Sequence, residues 1–303
     1  MLSYEIDPNN HCRTAWSFLR NLIPMAPLGY LTKLLRSGHI SLNGTTATAA
    51  AILSIGDTVS LKESTKTSQL LTKKTPRLDI VFEDSWIIAC NKQSGIPMHR
   101  TAEISESTVV DIAESFLTDR DGHRIKLRPV NRLDRGTSGV VLLAKSPTTA
   151  GMLGKIVKEE GLSKLYLAIV KGKMPAMGSI DIPLAGKAST TDFKTLLSSA
   201  DKSFVAVWPR TGRMHQIRQH FAMKHHPVIG DRRYGAPTIS DPYSHLLHSF
   251  RTSLNHPSTG EPIFLSAPLP PLMINGLSEM AGEATLSILQ SITGLTAEPP
   301  TLP

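Results

Sequence analysis

Between Thr14 and Leu61 the apolar residues fall first at helical and then at strand spacing. Trp16, Leu19, Leu22 and Ile23 recur three and four apart in TAWSFLRNLIP, one buried face of a short helix, until Pro24 and Pro27 break the chain. Leu28, Leu31, Leu34 and Leu35 repeat the pattern in LGYLTKLLRSG, which Gly38 ends. Ile40 and Leu42 then alternate with polar neighbours up to Asn43-Gly44, a strong hairpin-turn dipeptide, and Val59 and Leu61 alternate likewise. Residues 63–76, rich in Lys, Thr and Ser without sustained periodicity, read as a basic linker.

A larger domain starts at residue 77. Strands are predicted at Leu78–Phe82 and Trp86–Asn91 around an Asp84-Ser85 turn, and a helix at Thr108–Leu117 with Ser107 as its cap. VVLLAK at Val140–Lys145 reads as a fully buried strand, Pro147–Glu160 as a helix, KLYLAIVKG and SFVAVWP as strands, and His215–Lys224 as a helix. Elements mixed in this order predict an α+β fold with a mixed, largely antiparallel sheet, preceded by a small α/β module. The expected boundaries are 12–62 for the module, 63–76 for the linker, 77–285 for the large domain and 286–303 for a tail, with one helix over Glu283–Gly294.

Composition narrows the class. With 303 residues, 40% of them hydrophobic and 19% charged, the chain is not disordered throughout. Lys and Arg number 33 against 25 Asp and Glu, a net charge of +8 that points toward a polyanionic partner. Residues 1–77 hold nine basic and four acidic side chains, +5 in all, which leaves +3 for the remaining 226 residues. Two cysteines, Cys12 and Cys90, exclude a disulfide framework and a zinc ribbon. No apolar run approaches the roughly 18 to 20 residues of a membrane span, and the polar, acidic start MLSYEIDPNN is unlike a signal peptide. A cytoplasmic monomer without membrane contact is expected.

The stretch NRLDRGTSGVVLLAK carries the most chemistry. Asp134 lies between Arg132 and Arg135 in a loop just before a buried strand, a place both rigid and reachable. Neighbouring arginines favour its ionised form, which suits a nucleophile or an electrostatic stabiliser; a structural ion pair beside a tight turn is the alternative. His215, His220, His225 and His226 crowd one region, but His215 and His220 are five apart rather than three or four, and no metal site is expected. Gly136 to Gly139 lacks the Lys and the spacing of a phosphate-binding loop.

Two resemblances sharpen this. RSGHISLNG followed by GDTVSL resembles the alpha-L RNA-binding module, in which a basic helix and hairpin grip folded RNA; Lys33 and Arg36, three apart on the second helix, would meet phosphates there. An ordinary small domain with a solvated helix face fits the same spacing. VNRLDRGTSGVVLLAK, KLYLAIVKG and RTGRMHQIRQHFAMKHHPVIGDRRYG together closely resemble the RluA-type pseudouridine synthases, as do RLDIVFEDSWIIACNKQSGIPMH and LLHSFRTSLNHPSTGEPIFLSAPLP, over about residues 77–271 in unchanged order.

The resemblance implies a pseudouridine synthase catalytic domain and assigns roles residue by residue. Asp134 matches the catalytic carboxylate, Tyr166 the tyrosine that stacks on the target base, Arg213 the basic residue paired with the carboxylate, and Ile217 the aliphatic pocket wall. Arg132 matches an arginine that fills the gap left by the extracted nucleotide, with Arg135 beside it as a further substrate contact. Three roles are open to the carboxylate: attack on the sugar, attack on the base, or removal of a sugar proton. No cofactor is expected. The implied substrate is structured RNA, ribosomal RNA of the large subunit first and transfer RNA as the alternative; a noncatalytic RNA-binding protein on the same scaffold is the rival. The chain departs from the family pattern at Asn131 (usually His), Met214 (usually Thr), Gln93 and Arg100.

Overall fold

The computed structural model describes residues 1–24, 26–71, 78–99, 107–236, 239, 241 and 244–299. Residues 72–76 of the expected linker, with Lys73 and Lys74, Arg77 at the expected start of the large domain, and the departure at Arg100 lie outside the described residues.

The amino-terminal module contains strand β1 (Leu2–Glu5), helices α1 (Ala15–Leu22) and α2 (Leu28–Arg36), strands β2 (Ile40–Leu42), β3 (Thr45–Thr46) and β4 (Thr58–Leu61), and helix α3 (Thr65–Leu71). Thr14 starts α1 from an extended conformation, its Oγ1 accepting from Ser17 N at 3.1 Å. The strands pair antiparallel in the order β1-β4-β2-β3, and the Asn43-Gly44 turn, both residues at positive φ, joins β2 to β3. Leu19, Ile23, Leu31, Ile40, Leu53, Val59 and Leu61 are fully buried between helices and sheet. Each such side chain contributes on the order of 1.5–3 kcal/mol relative to exposure.

Two differences from the sequence reading enlarge this module. β1 pairs with β4 and Ile6 is buried, so the unit begins before residue 12. Residues 65–71, expected as linker, form α3: Ser64 Oγ accepts from Thr67 N at 3.1 Å, the Tyr30 hydroxyl lies 2.8 Å from Thr67 Oγ1, and Leu70 is buried against the module core. Tertiary packing of Thr67 and Leu70 stabilises a helix whose Lys- and Thr-rich sequence shows little apolar periodicity.

The larger domain runs β5 (Ile80–Glu83), β6 (Ile87–Lys92), α4 (Val109–Asp121), β7 (Arg128–Pro129), β8 (Ser138–Ala144), α5 (Pro147–Glu159), β9 (Ser163–Lys171), β10 (Met177–Asp181), β11 (Thr190–Ser198), β12 (Lys202–Pro209), α6 (Gln216–Met223), β13 (Leu247–Asn255), β14 (Pro262–Ser266), α7 (Pro271–Ala281) and α8 (Thr285–Ser291). Its sheet has the order β10-β11-β12-β9-β13-β8-β6-β5, with β14 on β13 and β7 on β8. Among the described pairings only β8 with β13 is parallel, so the expected mixed, largely antiparallel α+β fold is what forms. At that seam Gly139 has φ +113°, and a Cβ there would stand 2.2 Å from Ser249 O. Only glycine lets the two strands meet so closely, five residues after Asp134.

The cap of α4 is Thr108 rather than Ser107, in a reciprocal capping box with Asp111. The carboxy-terminal segment is not a tail: α7 and α8 are separate helices, and Met273, Leu277, Leu289 and Ile292 are buried against β9, β12 and β13 with Leu167, Phe204 and Phe250. No helix among the described residues is long and apolar enough to cross a membrane.

The module is docked through charge and backbone. Arg13 forms a bidentate pair with Asp79 at 2.6 and 2.7 Å, and the Asn21 side chain bonds both backbone groups of Ile80, at 2.7 and 2.9 Å. Arg20, wholly buried, reaches Glu83 at 3.1 Å, where Arg120 and Lys145 each approach to 2.7 Å. Three cations surround this buried carboxylate and offset part of the burial that raises its pKa to about 7, and the cluster joins α1 to β5.

Candidate active site

Asp134 sits in the turn before β8, where Thr137 N donates to its carbonyl at 3.1 Å. The strap Gln93–Pro97 holds this turn. Gly95 N and Lys92 Nζ both donate to Arg135 O, at 2.9 and 3.0 Å, and Ser94 Oγ donates to Gly136 O at 2.7 Å. Lys92 is 1% exposed and also donates to Gln93 O and Ile96 O. Burial drives its ammonium down to about 7, while its three carbonyl acceptors tie strap and turn together.

Asn131, where the related pattern has His, borders the Tyr166 pocket but spends its amide on β8. Its Nδ2 donates to Val140 O at 3.1 Å and its Oδ1 accepts from Leu142 N at 2.8 Å, so its amide copies a strand partner along β8. Met214 is 71% exposed and its side chain braces nothing in the loop; its carbonyl accepts from Gln219 Nε2 at 2.7 Å.

The guanidinium that meets Asp134 belongs to Arg218, in the first turn of α6, at 2.8 Å from Nη1 to Oδ2. This corrects the assignment of that pairing to Arg213. Arg213 precedes the helix: its N–H donates to Gln216 Oε1 and its Nε to Ala188 O at 3.1 Å, which turns the side chain toward the loop between β10 and β11. Arg218 in turn holds Asp231 through Nε and Nη2, at 2.6 and 2.9 Å. Asp231 is 1% exposed, and Arg218 pulls its carboxyl below the usual range against the opposing effect of burial. Arg218 is held fully protonated: burial disfavours its charge, and the two carboxylates more than offset that.

His215, at φ +53°, begins α6 with Nε2 3.6 Å from Asp134 Oδ1 and Nδ1 3.1 Å from the Tyr234 hydroxyl. Burial lowers its pKa and favours the neutral ring. His220 faces Thr191 and Ile182, and His226 faces Lys171 O, so the crowded histidines have separate partners. Among the described residues no group of three His, Cys, Asp or Glu gathers as a metal site.

Tyr166 lies on β9, in register with Ser249 of β13 and Val207 of β12. Burial pushes its phenol up to about 12, so it stays protonated. It lines a pocket of about 510 Å³ with Asp134, Ile217, Leu247 and Arg218, which Arg132 also borders. A second cleft of about 740 Å³ lies on the other side of the turn, and Asp134, Arg132 and Arg135 line it too. The structure therefore brings Asp134, Tyr166, Ile217 and Arg132 together. Arg135 donates its Nε to Gly95 O at 2.8 Å and helps hold the strap. Lys33 stands on the module with Tyr30, His39, Lys62 and Lys66 around a shallow cleft, and Arg36 is exposed on the same helix.

Arg218, Asp231 and Lys92 escaped the sequence reading. Arg218 and Asp231 lie inside the RTGRMHQIRQHFAMKHHPVIGDRRYG stretch, and Lys92 ends a strand whose other residues but Asn91 are apolar. Their signal is a charged residue inside a segment destined for burial, which has to be paired.

A carboxylate gripped by arginine, beside a pocket with one aromatic and one aliphatic wall, defines a site for a planar base on an α+β scaffold. A family model for RNA pseudouridylate synthase matches residues 86–223. An uncharacterized RNA pseudouridine synthase of Bacillus subtilis is 32% identical over 251 residues, covering 77% of this chain and 87% of that protein. The ribosomal large subunit pseudouridine synthase C of Escherichia coli K12 is 30% identical over 286 residues, covering 84% and 88%. Human RNA pseudouridylate synthase domain containing 1 superposes with a TM-score of 0.53 at 25% identity, covering 66% of this chain and 88% of that one. The chain belongs to the RNA pseudouridylate synthase family. It is an isomerase acting on RNA.

Proposed function

We propose that this enzyme converts particular uridines of folded large-subunit ribosomal RNA to pseudouridine, with Asp134 as the catalytic carboxylate. The observation that carries the reading is Asp134 held by Arg218 at the edge of the Tyr166–Ile217 pocket. In the reaction the bond from ribose C1′ to uracil N1 breaks, the base turns, and C1′ joins C5. The C5 proton leaves and N1 gains one, so no oxidant or reductant is consumed. Tyr166 and Ile217 would hold the two faces of the flipped base, leaving its edge to turn. Arg132, at the pocket rim with no ion pair to any described residue, would fill the space the nucleotide vacates.

The ribosomal target is supported by the names of relatives that align over most of the chain. The module of residues 1–71 would hold RNA through Lys33 and Arg36 together with Lys62 and Lys66, a grouping that supports the alpha-L resemblance.

The test uses RNA carrying tritium at uridine C5. Wild type should release tritium to water and Asp134→Asn should not; equal release by both would remove Asp134 from the chemistry. Mapping pseudouridines in RNA from cells with and without the protein should show a site missing from large-subunit RNA. A site missing from transfer RNA alone would reassign the substrate.

A further inference from the structure

The 740 Å³ cleft is lined by six arginines, Arg132, Arg135, Arg213, Arg218, Arg232 and Arg233, and by two carboxylates, Asp134 and Asp231. That is +4, half of the net +8 of the whole chain. Arg218 takes both carboxylates for itself. Arg135 and Arg213 each give Nε to a backbone carbonyl. Arg232 and Arg233 are exposed, and neither guanidinium has a hydrogen bond or ion pair with any described residue; Arg233 only lies 5.8 Å from the Tyr234 ring.

These two side chains stand on a built loop. Gly230 has φ +85°, and a Cβ there would meet Ile239 Cδ1 and Ser244 O at 2.9 Å. Asp231 is anchored on Arg218 below, while its Oδ1 caps the next turn by accepting from Arg233 N at 3.2 Å and its carbonyl accepts from Ala236 N at 3.1 Å. The short helical turn Arg232–Tyr234 therefore presents two uncompensated guanidinium groups from a backbone fixed to the same arginine that holds Asp134. A solvated charge pair on an open surface needs no such anchoring, and gains nothing from lining a cleft.

We infer that Arg232 and Arg233 form a phosphate-binding rim that grips the RNA backbone next to the flipped uridine. The inference rests on the functional reading above and adds to it the place where the strand is held. The phosphates on either side of a flipped nucleotide are tied covalently to its ribose, so they arrive at the rim of whatever pocket receives the base. Planar guanidinium groups match phosphate oxygens in pairs. Because Asp231 ties the backbone of the Arg232–Tyr234 turn to Arg218, little backbone freedom is lost on binding.

The experiment measures affinity for protein-free large-subunit ribosomal RNA across a range of KCl concentrations, together with tritium release. The double variant R232Q/R233Q should bind at least about tenfold more weakly at low salt, and its log–log salt slope should be shallower by about 1.4–1.8, the value for two lost phosphate contacts. R232K/R233K should recover most of the slope, because the slope counts neutralised phosphates and lysine neutralises them too, while affinity should stay below wild type for want of the paired guanidinium contacts. Both variants should melt at the wild-type temperature, since both side chains are exposed. An unchanged slope in R232Q/R233Q overturns the rim, whatever the tritium result. Absence of tritium release from wild type on this RNA, with the slope change present, overturns the proposed large-subunit target and leaves the phosphate rim standing.

Discussion

Arg218 donates Nη1–H to Asp134 Oδ2 at 2.8 Å, the one charged hydrogen bond to the proposed catalytic carboxylate among the described residues. Losing it leaves Asp134 unoriented and without its counter-charge. Arg218→Ala should slow single-turnover tritium release by about 10²–10³-fold, the scale for one preorganised charged donor. Arg213→Ala should cost far less, because that side chain faces Ala188. A larger effect at Arg213 than at Arg218 would reverse the two assignments.

Asp231 is a positioning residue in this arrangement. Its bidentate grip on Nε and Nη2 leaves only Nη1 of Arg218 facing Asp134. Asp231→Asn keeps the shape but weakens two charge-assisted bonds, so Arg218 is free to swing. The turnover number should fall about tenfold or more while RNA affinity stays within about twofold, and the loss should be non-additive with Arg218→Lys. Loss of affinity with normal turnover would instead make Asp231 part of the RNA-binding surface.

Much of this was legible in the sequence, and the exceptions have a common cause. Period-3.6 patterns located α1 and α2 because each buries one apolar face, and an unbroken apolar run located β8 because it is buried on both faces. Helix α3 lacks such a face and owes its order to Tyr30 and Leu70 contacts across the fold. The motif stretches placed Asp134, Tyr166 and Ile217 at one pocket. They did not say which of two arginines, five residues apart, would turn inward, since that depends on where α6 begins. It begins at Gln216, after His215 in a left-handed conformation, and that choice points Arg218 toward Asp134 and Arg213 away.

Asn131 serves the scaffold. Removing its amide would leave Leu142 N and Val140 O without their side-chain partner beside a buried strand. Asn131→Ala should cost about 1–3 kcal/mol for the groups left unpaired, read as a lower urea midpoint with an unchanged m-value. Asn131→Asp retains the acceptor for Leu142 N and should fall between. A stability equal to wild type in Asn131→Ala would show that water replaces the amide at no cost.

The carboxy-terminal helices belong to the core. Leu289 is 1% exposed in α8, within the layer that includes Phe204 and Phe250. Leu289→Ala should cost about 2–5 kcal/mol, the range for a large-to-small change in a packed core. Removing residues 286–303 should leave that layer open and yield aggregating protein. A truncated chain with wild-type stability would return this segment to the status of a tail.

Acid should destabilise the fold through buried histidines. His248 is fully buried, with Nδ1 2.8 Å from Ser138 Oγ and Nε2 3.2 Å from Ala267 O, and burial lowers its pKa to about 4. His245, 2.8 Å from Thr137 Oγ1, is lowered to about 4 by burial first and by Arg218 next. In the unfolded chain each titrates near about 6.5. Between these values the unfolded state binds more protons than the native state, so stability falls as pH drops through that window. Each ring accounts for up to about 3 kcal/mol between pH 7 and pH 4. Urea midpoints should decline steadily from about pH 6.5 downward. His248→Gln, weaker than wild type at pH 7, should show a flatter decline, because it removes one of the two protonation sites. An equal decline in both proteins would mean that His248 is already protonated in the native state.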